Sequence, residues 1–377
     1  MRFMTDRMII AGGGTGGHLF PGLAVAEAWA GKRGSDSILF VTGRRKMESA
    51  ILSSAGWRQT SISIEGIKGR GWRVMGYVFL MLPVSCFQSL KALCRFKPSL
   101  VLGVGGYSAG PVCLVARILR IPTAIHEQNS IPGLTNRLLC RLVDRVFISF
   151  EESGNHFSGG QLYLTGNPIR EGLLRKKRTS VQKDGGFTLL VMGGSQGAKS
   201  INRAFVVAWK ILTEKGLDIQ VIHQTGEKDY PFVAGEYPGK DLPVALSPFI
   251  QDMGEAYHQA DLVICRAGAT TVSELAALGK PSILIPYPFA ANNHQEKNAD
   301  VLVRAGGAVK ILEEDLHGED LATRIMGYLE DRSLLAAMSR RAATVGRRDA
   351  VHRIVDQLED MINIRRGDRE APEGQEN

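Results

Sequence analysis

The chain has 377 residues, 44% of them hydrophobic and 22% charged, with 43 glycines and a formal net charge of +8. That length suits two domains rather than one core, and the composition excludes a disordered chain. The basic balance asks for an anionic partner, but there is no zinc-finger spacing and no basic stretch interleaved with aromatics, so no nucleic acid is expected. Five cysteines (Cys86, Cys94, Cys113, Cys140 and Cys265), without CxxC pairs, read as reduced, buried thiols of a cytosolic protein. The opening "MRFMTDRMIIAGGG" has too short an apolar run for a secretory signal.

In chain order, "RMIIA" (7–11) predicts a strand and "LFPGLAVAEAWAGK" (19–32) a helix, separated by the turn "GGGTGG" (12–17). "SILFVTG" (37–43) predicts the second strand. The apolar run "GWRVMGYVFLMLPVSCF" (71–87) lies between Lys68, Arg70 and Arg73 on one side and Lys91, Arg95 and Lys97 on the other. Pro83 and polar residues interrupt it, so it is a poor transmembrane helix. It reads either as a buried core helix or as a membrane-docking patch with basic residues meeting anionic lipid. "SLVLGVGGYS" (99–108), "PTAIHEQN" (122–129) and "RVFIS" (145–149) add strands.

After the polar stretch "RKKRTSVQKDGG" (175–186), which reads as a linker, the pattern restarts. "FTLLVMGGSQGAKSINRAF" (187–205) is again strand, glycine turn and helix. "IQVIHQTG" (219–226), "VALSPF" (244–249), "DLVICRAG" (261–268) and "PSILIPYP" (281–288) follow as strands. Gly13, Gly14, Thr15 and Gly17 align at one offset with Gly193, Gly194, Ser195 and Gly197. The reading is α/β: two Rossmann-like domains with parallel sheets, 1–170 and 171–345. A helix at about 346–364 packs back on the first, and 365–377 forms a disordered polar tail.

"GGGTGG" satisfies the dinucleotide pattern GxGxxG through Gly12, Gly14 and Gly17. The second strand ends "LFVTGRRK" without the acid that a NAD ribose needs. Arg44 and Arg45 could instead hold a 2′-phosphate, which leaves an NADP-dependent oxidoreductase as a rival. Two more glycine turns, "GVGGYSAGP" (103–111) and "GGSQGAKS" (193–200), also follow strands. Such loops offer backbone N–H groups and positive helix ends to a diphosphate leaving group. Behind the turn "AGATT", Glu274 sits about one helical turn in, where a carboxylate can accept from both hydroxyls of a ribose. Asn293, His294 and Gln295 follow a proline-rich loop, and amides suit sugar hydroxyls.

Arg266, "GATT.SE", "GKPSILIPYP" and "NHQ..NA" resemble the donor signature of two-domain (GT-B) nucleotide-sugar glycosyltransferases. "GGGTGGH" (12–18), "GGYSAGP" (105–111), "HEQNSIPGLTNR" (126–137), "TGNPIR" (165–170) and "GGSQGA.SIN" (193–202) narrow the resemblance to glycosyltransferase family 28. Its members here are the N-acetylglucosaminyltransferases that complete lipid II in peptidoglycan synthesis. The resemblance implies a GT-B fold, with the two sheets facing across a cleft. It also implies UDP-GlcNAc as donor, lipid I as acceptor, anionic inner-membrane lipids as a surface, and other cell-wall synthesis and division proteins as partners. The enzyme would be peripheral, on the cytoplasmic face of the inner membrane.

By the same resemblance, Ile250 meets the uracil, Glu274 the ribose, and Ser195 the diphosphate with Ala269, Thr270, Thr271, Val272 and Ser273. Gln295, beside His294, takes the GlcNAc hydroxyls. Asn129, Arg170, Thr15, Gly16 and Gly17 complete the donor site, and Asn202 and Arg266 support the loops. The acceptor falls to Gly14, Gly106, Tyr107, His126 and Asn136. A single inverting displacement needs one general base. His18, at a positive helix end that favours neutral imidazole, is the first candidate and Glu127 the second. No DxD pair occurs, so no metal or other cofactor is expected. A non-catalytic nucleotide-sugar-binding membrane protein is the third reading.

Overall fold

Runs of apolar residues that are buried on both faces become parallel strands, because only helices above and below can cover them. In the computed structural model, which describes residues 6–13, 16–64, 72–175, 186–194, 196–237 and 243–370, thirteen strands form two sheets, with the most deeply buried ones inside and the partly exposed ones at the edges. The first sheet holds β1 (Met8–Ala11), β2 (Ile38–Thr42), β3 (Gln59–Ser61), β4 (Leu100–Gly103), β5 (Thr123–Glu127), β6 (Arg145–Ile148) and β7 (Gln161–Leu164), in the order β3-β2-β1-β4-β5-β6-β7. The second holds β8 (Phe187–Met192), β9 (Ile219–Gln224), β10 (Val244–Ser247), β11 (Leu262–Cys265), β12 (Ser282–Leu284) and β13 (Ala308–Lys310), in the order β10-β9-β8-β11-β12-β13. Every pairing is parallel.

The edge strands β3, β7 and β13 are absent from the sequence reading. They are short and incompletely buried, so they carry no apolar run.

The chain divides into two compact units, residues up to Arg170 together with those from Asp349, and Glu171–Arg348. In the first, Met8, Ile10, Trp29, Phe40 and Phe147 pack on one face of the sheet with Ile354, Leu358 and Met361 of the helix Ala350–Glu370. Ile9, Val41, Leu93, Val112 and Val146 pack on the other. In the second, Phe187, Val191, Phe205, Trp209 and Ile264 centre the core.

Two expectations need correction. The terminal helix runs to Glu370, so the polar tail is not disordered from 365. Arg365 donates to the Arg120 carbonyl at 3.3 Å and Arg366 pairs with Asp6 at 2.6 Å, which ties the extra turns down. Residues 371–377 lie outside the described residues. Nor are the cysteines all buried: Cys113, Cys140 and Cys265 are, Cys86 is half-buried and Cys94 is exposed.

The helix Trp72–Phe96 buries Leu93 and Phe96 at its end, but between residues 82 and 90 its large apolar side chains turn outward. Leu82, Phe87 and Leu90 are 37%, 68% and 36% exposed, while Ser85 and Ser89 are fully buried. Both serines are satisfied: Ser85 Oγ donates to the Ser63 carbonyl at 2.6 Å and Ser89 Oγ to the Ser85 carbonyl at 2.7 Å. The core-helix reading of 71–87 therefore fails for residues 82–87, and the side chains of 71–80 lie outside the described residues. Among the described residues, no helix is long and apolar enough to cross a membrane.

Strand order fixes where a ligand can sit. Chain order reverses between β1 and β4 and again between β8 and β11, and loops diverge there to leave a crevice beyond the strand ends. The strands end level, with Ala11 opposite Gly103 and Met192 opposite Cys265. In the second unit, Gly197 has φ +74°, and a Cβ on it would lie 2.0 Å from the Thr225 carbonyl oxygen. Gly197→Ala is expected to cost about 2–4 kcal/mol in urea unfolding, from overlap and left-handed strain together. Gly235→Ala, in a helix with open space around it, should be neutral or stabilising by about 0.5–1 kcal/mol. Equal effects of the two would contradict this account.

Candidate active site

In the first unit the glycine loops lean on one another. The Gly13 N–H donates to the Gly105 carbonyl at 3.3 Å. Gly106 has φ +78°, and a Cβ there would stand 2.0 Å from the Gly13 carbonyl oxygen. Gly105 also makes room for a side chain, since its Cβ would lie 2.8 Å from His18 Nδ1. His18 is half-buried in the first turn of the helix Gly16–Arg33, whose opening residues Gly16 and Gly17 sit at the positive end of the helix dipole. Its Nδ1 lies 2.8 Å from Gln128 Oε1. Gln128, only 1% exposed, donates from Nε2 to the Val104 carbonyl at 2.8 Å and to His126 Nδ1 at 3.0 Å. His126 Nε2 in turn donates to the Gly166 carbonyl at 3.2 Å. Burial lowers the His126 pKa to about 4; the Gly166 bond opposes that shift and the nearby His18 adds to it.

Glu127 is 1% exposed. Oε1 accepts from the Asn129 N–H at 2.9 Å and Asn129 Nδ2 at 3.2 Å, and Oε2 from the Gly133 N–H at 3.1 Å and Asn136 Nδ2 at 2.9 Å. Asn136, itself 2% exposed, also donates to the His126 carbonyl at 3.2 Å. Glu127, His126 and Asn136 are thus interior groups that shape the loop after β5. The geometry does not present them to an acceptor, and Glu127 could take a substrate proton only by dismantling that loop. Gly106, Tyr107 and Asn129 are half-buried at the strand ends. The Arg170 guanidinium lies 4.7 Å from the Phe20 ring centre, and its buried Nε has no hydrogen-bond partner among the described residues. Gly14 and Thr15 lie outside the described residues, and Arg44 and Arg45 stand exposed after β2.

In the second unit Ser195 lies outside the described residues. Gln224 Nε2 donates to the Gly194 carbonyl at 2.9 Å and the Pro248 carbonyl at 3.3 Å, joining the loop after β8 to the one that carries half-buried Ile250. Asn202 is fully buried and braces the same region. It donates to the Thr225 carbonyl at 3.0 Å and Asp229 Oδ2 at 2.9 Å, and accepts from His223 Nε2 at 3.1 Å. Burial lowers the His223 pKa to about 3.

The helix Ala269–Leu278 opens after Gly268. Ala269 and Val272 face the core, so they can meet a ligand only through their backbone. Thr270, Thr271, Ser273 and Glu274 are half-buried. Glu274 Oε2 accepts the hydroxyl of fully buried Tyr257 at 2.9 Å. Burial and then the Glu274 charge push that phenol well above its ordinary pKa, so it stays a donor.

Arg266 donates to the Ile285 and Pro286 carbonyls at 3.3 and 3.2 Å and to Ser200 Oγ at 3.0 Å, and pairs with Glu313. It binds the ends of β11 and β12 together. Gln295 Oε1 accepts from the Tyr287 N–H at 2.9 Å, which leaves the amide nitrogen as its donor end. His294 Nδ1 donates to the Ala291 carbonyl at 2.8 Å. Asn292 and Asn293, at φ 55° and 52°, make the left-handed turn that starts the helix His294–Ala305, a conformation asparagine tolerates best after glycine. Among the described residues, no group of three or more His, Cys, Asp or Glu side chains could hold a metal ion.

Gln128, Gln224 and Tyr257 are missed by sequence reasoning. Each is an interior polar residue whose partners, His126 beside Gln128 apart, are remote in sequence, and no spacing signal marks it.

Residues 8–148 match the glycosyltransferase family 28 N-terminal domain and residues 188–354 its C-terminal domain. The chain is 46% identical over 361 residues, covering 96% of this chain and all of the relative, to the UDP-N-acetylglucosamine–N-acetylmuramyl-(pentapeptide) pyrophosphoryl-undecaprenol N-acetylglucosamine transferase of Syntrophus aciditrophicus. It is 44% identical to the protein of the same name in Desulfotalea psychrophila, over 95% of this chain and 97% of that one. Among solved structures it is similar to MurG of Acinetobacter baumannii, with TM-score 0.72 and 30% identity over 94% of this chain and 99% of that one. A UDP-GlcNAc 2-epimerase of Neisseria meningitidis shares the fold alone, at 15% identity and TM-score 0.65 over 94% of this chain and 100% of that one.

The buried imidazole makes stability depend on pH. His126 titrates at about 4 when folded and near 6.5 when unfolded, so on acidification the unfolded chain takes up its proton first. The stability it confers is full above pH 6.5 and is lost as pH falls toward 4. The melting temperature should therefore drop between pH 6.5 and about 5, and His126→Gln should make that drop shallower, the buried His223 supplying the remainder. Parallel slopes for the two proteins would contradict the assignment.

Proposed function

This chain belongs to glycosyltransferase family 28, and we propose that it moves N-acetylglucosamine from UDP-GlcNAc to the 4-hydroxyl of the MurNAc in undecaprenyl-pyrophosphoryl-MurNAc-pentapeptide (lipid I), forming lipid II. The observation that carries the donor half is Glu274. Its carboxylate is anchored by a buried phenol, behind the positive end of a helix at the switch point of the second sheet. A carboxylate there suits a ribose, and the N–H groups of the helix start suit a diphosphate. The bond from the anomeric carbon to the UDP oxygen breaks, and UDP leaves with the electron pair. The acceptor oxygen attacks from the opposite face and its proton passes to His18. Backbone dipoles and helix ends stabilise the departing charge, in the role a divalent cation has elsewhere.

Of the two candidate bases, His18 is favoured because both oxygens of Glu127 are committed to the loop after β5. A base supplies about 10²–10⁴-fold in rate. His18→Ala should therefore cut kcat by about 10²-fold or more with little change in KM for UDP-GlcNAc. Transfer of labelled GlcNAc to a lipid I analogue should persist in excess EDTA. Near-normal turnover of the variant would remove His18 as base, and strict loss in EDTA restored by Mg²⁺ would remove the metal-free reading.

The acceptor is membrane-borne, and the outward face of the helix Trp72–Phe96 offers the surface to meet it. Exposed Leu82, Phe87 and Leu90 share this helix with exposed Lys91 and Arg95; the helix Ala109–Ile118 packed against it carries exposed Ile118, and the helix Leu134–Leu139 packed on that one carries exposed Leu134, Arg137 and Leu138. Apolar residues entering an interface with basic residues at the headgroups is the pattern of peripheral binding. Our reading places this face on the cytoplasmic leaflet. Replacing Leu82, Phe87 and Leu90 together by Asp should release the protein from anionic vesicles with its melting temperature kept. Unchanged vesicle binding would contradict this reading.

A further inference from the structure

We propose that Gln128 is a positioning residue that holds His18 in the Nδ1–H tautomer, so that Nε2 is the nitrogen that takes the acceptor's proton. This rests on the reading of His18 as the base. The amide cannot be turned round. Its Nε2 faces the Val104 carbonyl at 2.8 Å, which can only accept, and an oxygen in that place would set two acceptors against each other. The same Nε2 faces His126 Nδ1 at 3.0 Å. That nitrogen is an acceptor too, because His126 stays neutral and gives its Nε2 proton to the Gly166 carbonyl. Oε1 is thereby aimed at His18 Nδ1, 2.8 Å away, and that nitrogen must carry the proton. The lone pair of the neutral ring is left on Nε2.

The arrangement is built rather than incidental. Gln128 and His126 are each 1% exposed, so the network is shielded from water that could satisfy either orientation. The absence of a Cβ at Gly105 is what lets the His18 ring lie against the amide. The choice of an amide also has a chemical reason. A carboxylate against Nδ1 would favour the imidazolium, and a protonated ring cannot accept the hydroxyl proton. The neutral carbonyl fixes the tautomer without adding charge, and the bond persists after the ring is protonated at Nε2.

The test uses the full-length protein with ¹⁵N-labelled histidine, the His18 signals being identified by their loss in His18→Gln. Wild type should show His18 as the Nδ1–H form, and Gln128→Met should show mixed tautomers. In the transfer assay Gln128→Met should lower kcat by about 10²-fold with KM for UDP-GlcNAc within about twofold. Gln128→Glu keeps an acceptor for Nδ1–H but loses both donors. If the oxygen matters, Gln128→Glu should keep Nδ1 protonated while its charge favours the imidazolium, so the acid limb of the kcat profile should move to higher pH, and above that limb at least about tenfold of the kcat lost in Gln128→Met should return. If Gln128 only braces the loop, Glu and Met should share the same acid limb and the same mixed tautomers, and that result overturns the proposal. An unchanged His18 tautomer in Gln128→Met also overturns it, whatever kcat does. Should the Met variant fail to fold, the spectrum of Gln128→Glu decides. The tautomer readout does not depend on His18 being the base, so failure of that reading, seen as normal turnover in His18→Ala, is distinguishable.

Discussion

Parallel strands covered on both faces leave no place for polar chemistry within the sheet, and this constraint sets the rest of the molecule. Functional groups must stand beyond the carboxyl ends of the strands, where chain order reverses and the loops part. The first unit places the loops after β1 and β4 there, and the second the loops after β8 and β11. Glycine is needed at Gly106 and Gly197 because backbone passes within contact distance of backbone. The glycine-rich loops therefore bring loops together, which is visible in the packing itself.

Behind the loops lies a layer of buried polar groups, many of them paired among the described residues. Glu127 gathers donors from Asn129, Gly133 and Asn136, Asn202 binds backbone and His223, and Tyr257 grips Glu274. An unpaired group in such a place costs about 1–3 kcal/mol, so the network specifies one arrangement of each loop. The residues that touch substrate in our reading are few, and most of the polar residues in the sequence motifs serve to hold those few in place. The relation of Gln128 to His18 is the sharpest case, because the supporting bond also selects the nitrogen that reacts.

The long apolar runs announced β1, β4, β8 and β11, and the glycines after them announced the crevice loops, because both signals are local. The edges β3, β7 and β13 were illegible, since an edge strand needs neither length nor apolar character. "HEQN" looked like a group of mouth residues, yet His126 and Glu127 are the last residues of a strand buried on both sides. Position at a strand end did not say which way each side chain points. In the helix Trp72–Phe96 composition alone could not separate core from surface. The burial of Ser85 and Ser89 opposite exposed Phe87 resolves it, and only a folded neighbour such as the Ser63 carbonyl could reveal that inversion.

The central claim is that the switch point of the second sheet, not the dinucleotide-like loop of the first, is the main nucleotide-sugar site. Amide hydrogen exchange of the full-length chain with and without UDP-GlcNAc tests it directly. The account predicts the strongest added protection in peptides covering residues 248–252, 266–274 and 287–298. Protection confined to residues 8–18 and 38–46, or produced equally by NADPH, would contradict it.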